Sequence, residues 1–84
     1  MREHPALHRR RLRYLASRRG NLEVELILRD FWEKRSGEVA DGDLPDLEAI
    51  LALEDLDLLD VFMGRAPLPE GLRRDIFEVV RPRR

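Results

Sequence analysis

The residues of this sequence best suited to chemistry stand together at one place. Arg18, Arg19, Gly20 and Glu23 follow one another as Arg-Arg-Gly-Asn-Leu-Glu. A corner glycine lets the backbone approach another molecule closely, and a guanidinium beside a carboxylate offers oriented, charge-assisted hydrogen bonds. The same residues also fit a plainer reading. In it, Gly20 closes one helix in a left-handed conformation, an arginine is solvated, and Glu23 sits in the first turn of the next helix, where an acid meets the positive end of the dipole.

Other chemistry is thinly provided. His4 and His8 are four apart, the spacing at which two imidazoles on one helix face hold a metal. Glu3 is the nearby carboxylate, and a site beside Pro5 at a fraying chain end lacks preorganisation, so no metal is expected. Ser17 has no histidine placed to activate it, and no glycine-rich phosphate loop is present. The chain has no cysteine, which excludes disulfides, thiolate zinc sites and a cysteine nucleophile. The acidic run Glu54, Asp55, Asp57, Asp60 reads most simply as a capped, solvated helix start. With no recognisable set of acid, base and nucleophile, a binding protein is expected and not an enzyme.

These residues must be positioned by a chain of 84 residues, enough for one domain with a small core and too short for two. The reading is a single helical domain over residues 1–84, with frayed ends near 1–5 and 81–84. A first helix runs from about Pro5 to Arg18, with Leu12, Leu15 and Ala16 at helical spacing. A second follows almost without a loop, from Asn21 as N-cap to Lys34. Its stripe of Val24, Ile27, Leu28 and Phe31, widened by Leu22, Leu26 and Trp32, marks it as the central helix. Ser36–Asp43 reads as a polar loop, and Asp43 with Asp46 as the start of a third helix carrying Leu44, Leu47, Ile50 and Leu51 and ending near Leu53. Asp55 or Asp57 caps a short fourth helix with Leu58, Leu59 and Phe62, closed by Gly64. After the stiff connector Ala66-Pro67-Leu68-Pro69, a fifth carries Leu72, Ile76, Val79 and Val80. Alternating runs joined by hairpin turns are absent. The fold class is therefore all-α, a single compact bundle of about five short helices.

The net charge of −1 hides a partition: residues 1–19 carry +6, residues 20–64 carry −10 and residues 65–84 carry +3. An acidic middle repels phosphate, so no nucleic acid is expected, while a two-signed surface suits a protein partner. The competing reading is a small basic-patch nucleic-acid-binding or antitoxin-like regulatory protein, because Arg9, Arg10, Arg11, Arg13, Arg18 and Arg19 gather around one helix. No apolar run approaches the roughly 20 residues of a membrane span and no apolar h-region follows the basic start. The chain is expected to begin near Met1 in its mature form and to reside in a bacterial cytoplasm.

Two stretches together resemble the SdhE family of succinate dehydrogenase assembly factors over nearly the whole chain. The first is Arg11-Leu-Arg-Tyr-Leu-Ala-Ser-Arg-Arg-Gly-Asn-Leu-Glu-Val-Glu-Leu-Ile-Leu and the second Asp55-Leu-Asp57-Leu-Leu-Asp-Val-Phe-Met-Gly64. The family patterns look like Arg-Arg-Gly-x-x-Glu-x-Asp and Asp-Pro-Asp-Leu-x-x-Trp-x-x-Gly; here Glu25, Leu56 and Val61 stand at the Asp, Pro and Trp. The resemblance implies a five-helix domain that binds the flavoprotein subunit of succinate dehydrogenase, or of fumarate reductase, and promotes covalent attachment of FAD to it. FAD then belongs to the partner, with no cofactor bound stably by this chain, which is expected to be monomeric when free. Carried over by position, Arg19, Gly20 and Glu23 belong to the contact surface, with Arg18 as neighbour and Asp57 at its border.

Overall fold

The apolar spacing of the second segment produces the helix around which the others assemble. In the computed structural model, which describes residues 3–82, the chain forms α1 (Pro5–Ala16), α2 (Leu22–Lys34), α3 (Leu44–Leu51), α4 (Asp55–Phe62) and α5 (Arg74–Val80). No strand occurs among the described residues. On α2, Val24, Leu28 and Phe31 recur at three- and four-residue intervals and are fully buried, packing the helix against α1, α4 and α5. α3 bridges α1 and α5 on another side. Phe62 of α4 stacks on Phe77 of α5, ring centroids 5.6 Å apart, and Phe31 meets Trp32 edge-on at 5.1 Å. The radius of gyration of 12.1 Å is that of a folded single domain of this length, for which about 12 Å is expected.

Local chemistry explains most boundaries. The Asn21 side-chain oxygen accepts from the Val24 N–H at 3.0 Å, the cap expected for α2. His4 does the same at α1, its Nδ1 accepting from the Ala6 N–H at 3.1 Å, with Pro5 at the first helical position. Expected fraying at residues 1–5 and 81–84 falls partly on residues 1, 2, 83 and 84, which lie outside the described residues. Pro45 near the start of α3 needs no partner for its missing N–H.

Several expectations are corrected. α1 stops at Ala16 and not near Arg18, and α3 stops at Leu51 and not Leu53. Gly20 does not adopt a left-handed conformation; only Gly64 (φ 75°) and Gly71 (φ 89°) have positive φ among the described residues. α1 instead unwinds through Ser17 in right-handed geometry, with the Ser17 N–H bonded to the carbonyls of Arg13 and Tyr14. Leu22 and Leu26 do not widen the α2 core stripe: they are 68% and 48% exposed, because α1 and α4 cover other sides of the helix. Ser36–Asp43 is not simply a polar loop. Two 3-10 turns, Ser36–Glu38 and Asp41–Asp43, fold Val39 between them into full burial. Arg9 holds this segment, donating to the carbonyls of Ser36 at 3.1 Å and Val39 at 2.5 Å.

The glycine difference has a measurable outcome. Gly64→Ala should cost about 1 kcal/mol, since a Cβ is strained at positive φ, whereas Gly20→Ala, with open space around the added methyl, should be neutral or slightly stabilising. Urea midpoints of the two variants check this; equal losses would contradict it.

Charged side chains bind the helices from outside. Ionised Glu48 of α3 accepts from His8 Nε2–H at 2.7 Å and from Arg11 Nη2 at 3.1 Å, and Arg11 also reaches Glu3 at 2.9 Å. Arg73 joins the starts of α3 and α5 through Asp43 (2.6 Å), Asp46 (3.2 Å) and Asp75 (2.6 Å). The Arg11 guanidinium first, then His8, holds the Glu48 carboxyl below its ordinary 4.5. Hydrogen bonds from Lys34 and Arg35 lower Asp30, and one from Arg73 lowers Asp75, below 3.8. A carboxyl depressed on folding contributes stability that is present above its unfolded value and lost as pH falls through its folded one. Thermal stability should therefore hold down to about pH 5 and decline below about pH 4, with a shallower acid decline in Glu48→Gln. A midpoint rising on acidification through that range would refute this assignment.

Candidate functional site

The corner between α1 and α2 is built from a short link that neither helix absorbs. After Ala16 the Ser17 hydroxyl donates back to the Tyr14 carbonyl at 2.7 Å and the Arg18 N–H to the Leu15 carbonyl at 3.2 Å. Arg18 then projects outward, its guanidinium lying 5.5 Å from the Tyr14 ring centroid, a cation–π contact on an exposed surface. Gly20 is exposed, with nothing within 4 Å of where a Cβ would stand. Its missing side chain thus leaves room on the outside of the corner.

Arg19 turns the other way. Its side chain is only 14% exposed. Nε donates to Asp55 Oδ1, Nη1 to the Leu51 carbonyl at 2.7 Å, and Nη2 to the Leu53 carbonyl. Carbonyls at a helix C-terminus lack intrahelical donors, and a cation there also meets the negative end of the dipole. Arg19 therefore closes α3 from outside and ties it to α4. Asp55 Oδ2 accepts in turn from the Asn21 N–H at 3.2 Å. Asp55 is not a helix cap; Glu54 takes the cap position, with no side-chain cap bond. Asp55 instead faces the corner, where Arg19 and Asn21 supply its donors.

Glu23, one residue into α2, is exposed, and no donor from the described chain bonds its carboxylate. Leu22 and Leu26 flank it, exposed on the same helix. Asp57, in the first turn of α4, is also exposed and without a bond inside the described chain. The tie between Arg19 and Asp55 joins the two motif-bearing segments, α1–α2 and α4, while Arg18, Gly20, Glu23 and Asp57 remain on the surface. Val61, at the Trp position of the second motif, is 6% exposed and belongs to the core.

Sequence reasoning missed Asp55 as a partner of Arg19, the two being 36 residues apart; the available signal was an acid opening one motif and a pair of arginines opening the other. It also missed Arg35, the buried cation at 8% exposure, which donates to the Val79 and Val80 carbonyls at the end of α5 and to Asp30 at 2.7 Å.

The fold also sorts the arginines that looked like one basic field. Arg9, Arg11 and Arg19 pair with Asp41, Glu3 and Glu48, and Asp55 respectively. Among the described residues of α1 and its C-terminal link, Arg10, Arg13 and Arg18 are the arginines with no acid partner. His4 and His8 do not meet: one caps its own helix and the other faces Glu48. Among the described residues no three His, Asp or Glu side chains gather as metal ligands, and no helix is long and apolar enough to cross a membrane.

Comparison with known proteins gives a consistent family. Residues 10–84 match the family described as flavinator of succinate dehydrogenase. The FAD assembly factor SdhE of Acetobacter pasteurianus is 38% identical over 65 residues, covering 77% of this chain and 60% of that protein. The FAD assembly factor SdhE of Ralstonia nicotianae is 42% identical over 65 residues, covering 76% of this chain and 66% of its own length. The match thus spans about two thirds of these relatives or less. No solved structure matches the chain significantly.

Proposed function

Because this chain belongs to the succinate dehydrogenase flavinator family, we propose that it is an assembly factor and not an enzyme. It binds the flavoprotein subunit of succinate dehydrogenase, or of the related fumarate reductase, and promotes covalent attachment of FAD to that subunit. The observation that supports the reading is the α1–α2 corner. Glu23 is exposed without a partner of its own, beside the open surface at Gly20 and the outward Arg18, on a support anchored by Arg19. Such a surface holds a partner; it does not transform a substrate.

FAD held by the partner would supply the reactive chemistry, a C8 methyl carbon that gives up a proton and bonds a nitrogen of a histidine of the same subunit, with the two electrons left on the flavin itself. The chain's own part is geometric. Glu23 accepts hydrogen bonds from the partner, Arg18 donates to it, and Gly20 lets the two backbones approach. By holding the partner's histidine and flavin in register, the factor removes a positioning cost that can reach several kcal/mol. Asp57 borders this surface.

Two clefts among the described residues suit FAD poorly. One, between the starts of α1 and α3, is lined by His8 and by Glu3 and Asp41, two acids whose carboxylates repel a pyrophosphate. A second opens on Arg19, Glu54 and Asp55, where the arginine donates to the chain itself. Their lining supports the reading in which FAD belongs to the partner. The pairing of Arg9, Arg11 and Arg19 with acids weakens the nucleic-acid alternative, since a phosphate backbone needs free cations. The proposed working form is a cytoplasmic monomer.

Co-expression with the flavoprotein subunit tests the reading. The two should co-purify, the subunit should carry flavin fluorescence through a denaturing gel only when the factor is present, and the factor alone should be colourless. Equal covalent flavin with and without the factor would sink it.

A further inference from the structure

We infer that Arg19 and Asp55 are a positioning pair that acts on the partner through the surfaces it holds in register. The inference rests on the assembly-factor reading and assigns Arg19 a role different from direct contact. Its guanidinium is planar, with its five N–H donors in a fixed fork. Nε, Nη1 and Nη2 all point into the chain, one at the Asp55 carboxylate and two at the carbonyls of Leu51 and Leu53. A guanidinium so engaged, in a side chain 14% exposed, has little left to offer a partner.

The connection continues beyond Arg19. The second oxygen of Asp55 takes the Asn21 N–H at 3.2 Å, and the Asn21 side chain takes the Val24 N–H at 3.0 Å. The end of α3, the first turn of α4 and the first turn of α2 are thereby fixed to one another by side chains from both motifs. What rides on them is exposed: Glu23 and Leu22 on α2, Leu56 and Asp57 on α4. The core on the far side of α2 does not depend on the clamp, since Val24, Leu28 and Phe31 are buried against other helices. Losing the clamp should therefore leave a folded protein whose two exposed segments are no longer held in one arrangement, and binding must then include the cost of ordering them.

The test is a double-mutant cycle with Arg19→Gln, Asp55→Asn and the combined variant, each confirmed as folded by circular dichroism, with Arg19→Lys in reserve should Arg19→Gln fail to fold. Affinity for the purified flavoprotein subunit and the flavinylation rate against factor concentration are measured together with amide exchange of the free factor at Asn21. Each single change should weaken binding about tenfold, and the double change should weaken it no further, because each removes the same device. Half-saturation should move to higher factor concentration while the saturated rate stays near wild type, and exchange at Asn21 should quicken in all variants. Direct contact by Arg19 would show as loss of binding in Arg19→Gln with wild-type binding in Asp55→Asn, and would overturn the inference. So would losses that multiply in the double variant, or wild-type affinity in all three with only a lowered melting temperature. Failure of the wild-type factor to bind the subunit would instead remove the assembly-factor reading on which the inference stands.

Discussion

Replacing Phe31 by alanine is expected to destabilise the protein by about 3–5 kcal/mol, the usual cost of deleting a buried aromatic side chain. Phe31 is fully buried on α2, the helix that touches α1, α4 and α5, so a cavity there faces several elements at once. Collapse of the site would require three short helices to shift together. A domain of this size is stable by only about 5–15 kcal/mol, and each kcal/mol is worth about 4–8 °C of melting temperature. The melting midpoint of the variant should thus fall by roughly 12–40 °C, as thermal circular dichroism will show. A midpoint within a few degrees of wild type would mean that α2 is not the organising helix.

Replacing Glu23 is expected to have the opposite profile. Its carboxylate is exposed in the first turn of α2 with no partner in the described chain, so Glu23→Ala should cost a few tenths of a kcal/mol to about 1 kcal/mol of stability through the helix dipole. Truncating one side of a desolvated charged contact costs about 2–5 kcal/mol. Partner affinity should therefore fall by at least about thirtyfold. Glu23→Gln keeps shape and hydrogen-bonding capacity without charge or basicity, so partial rescue by it points to anchoring over proton transfer. Wild-type rates of covalent flavin appearance with both variants would take Glu23 out of the functional site.

Gly20 offers a test of the outer surface alone. With no positive φ to strain and open space around a Cβ, a bulky side chain there disturbs little inside the molecule. Any loss of partner binding in Gly20→Arg therefore reports on the surface outside the corner.

The five helices were legible because helix formation is written locally. The stripe Val24, Leu28 and Phe31, the Asn21 cap and the left-handed stop at Gly64 each depend on residues within a turn or two. The core membership of Leu12, Leu47, Ile50, Leu58, Phe62, Ile76 and Val80 followed from the same periodicity. Periodicity was insufficient where two faces of one helix are both apolar: Leu22 and Leu26 read like Val24 and Leu28, and only the placement of the neighbouring helices decided which face is covered. Val39 was missed for the converse reason. A lone apolar residue in a polar stretch has no period, and its burial came from two 3-10 turns held by Arg9.

Of the site, the sequence by itself determined which residue types meet at the α1–α2 corner, since Arg18, Arg19, Gly20 and Glu23 are neighbours along the chain, and it carried the family. What only the tertiary structure decided is direction. Two adjacent arginines are alike in sequence, yet Arg18 lies on Tyr14 facing outward while Arg19 reaches the end of α3 and Asp55. The physical reason is that a long, always charged side chain goes where unsatisfied acceptors are. The carbonyls of Leu51 and Leu53 and the carboxylate of Asp55 come within its reach only after α3 and α4 have packed more than thirty residues away in the chain.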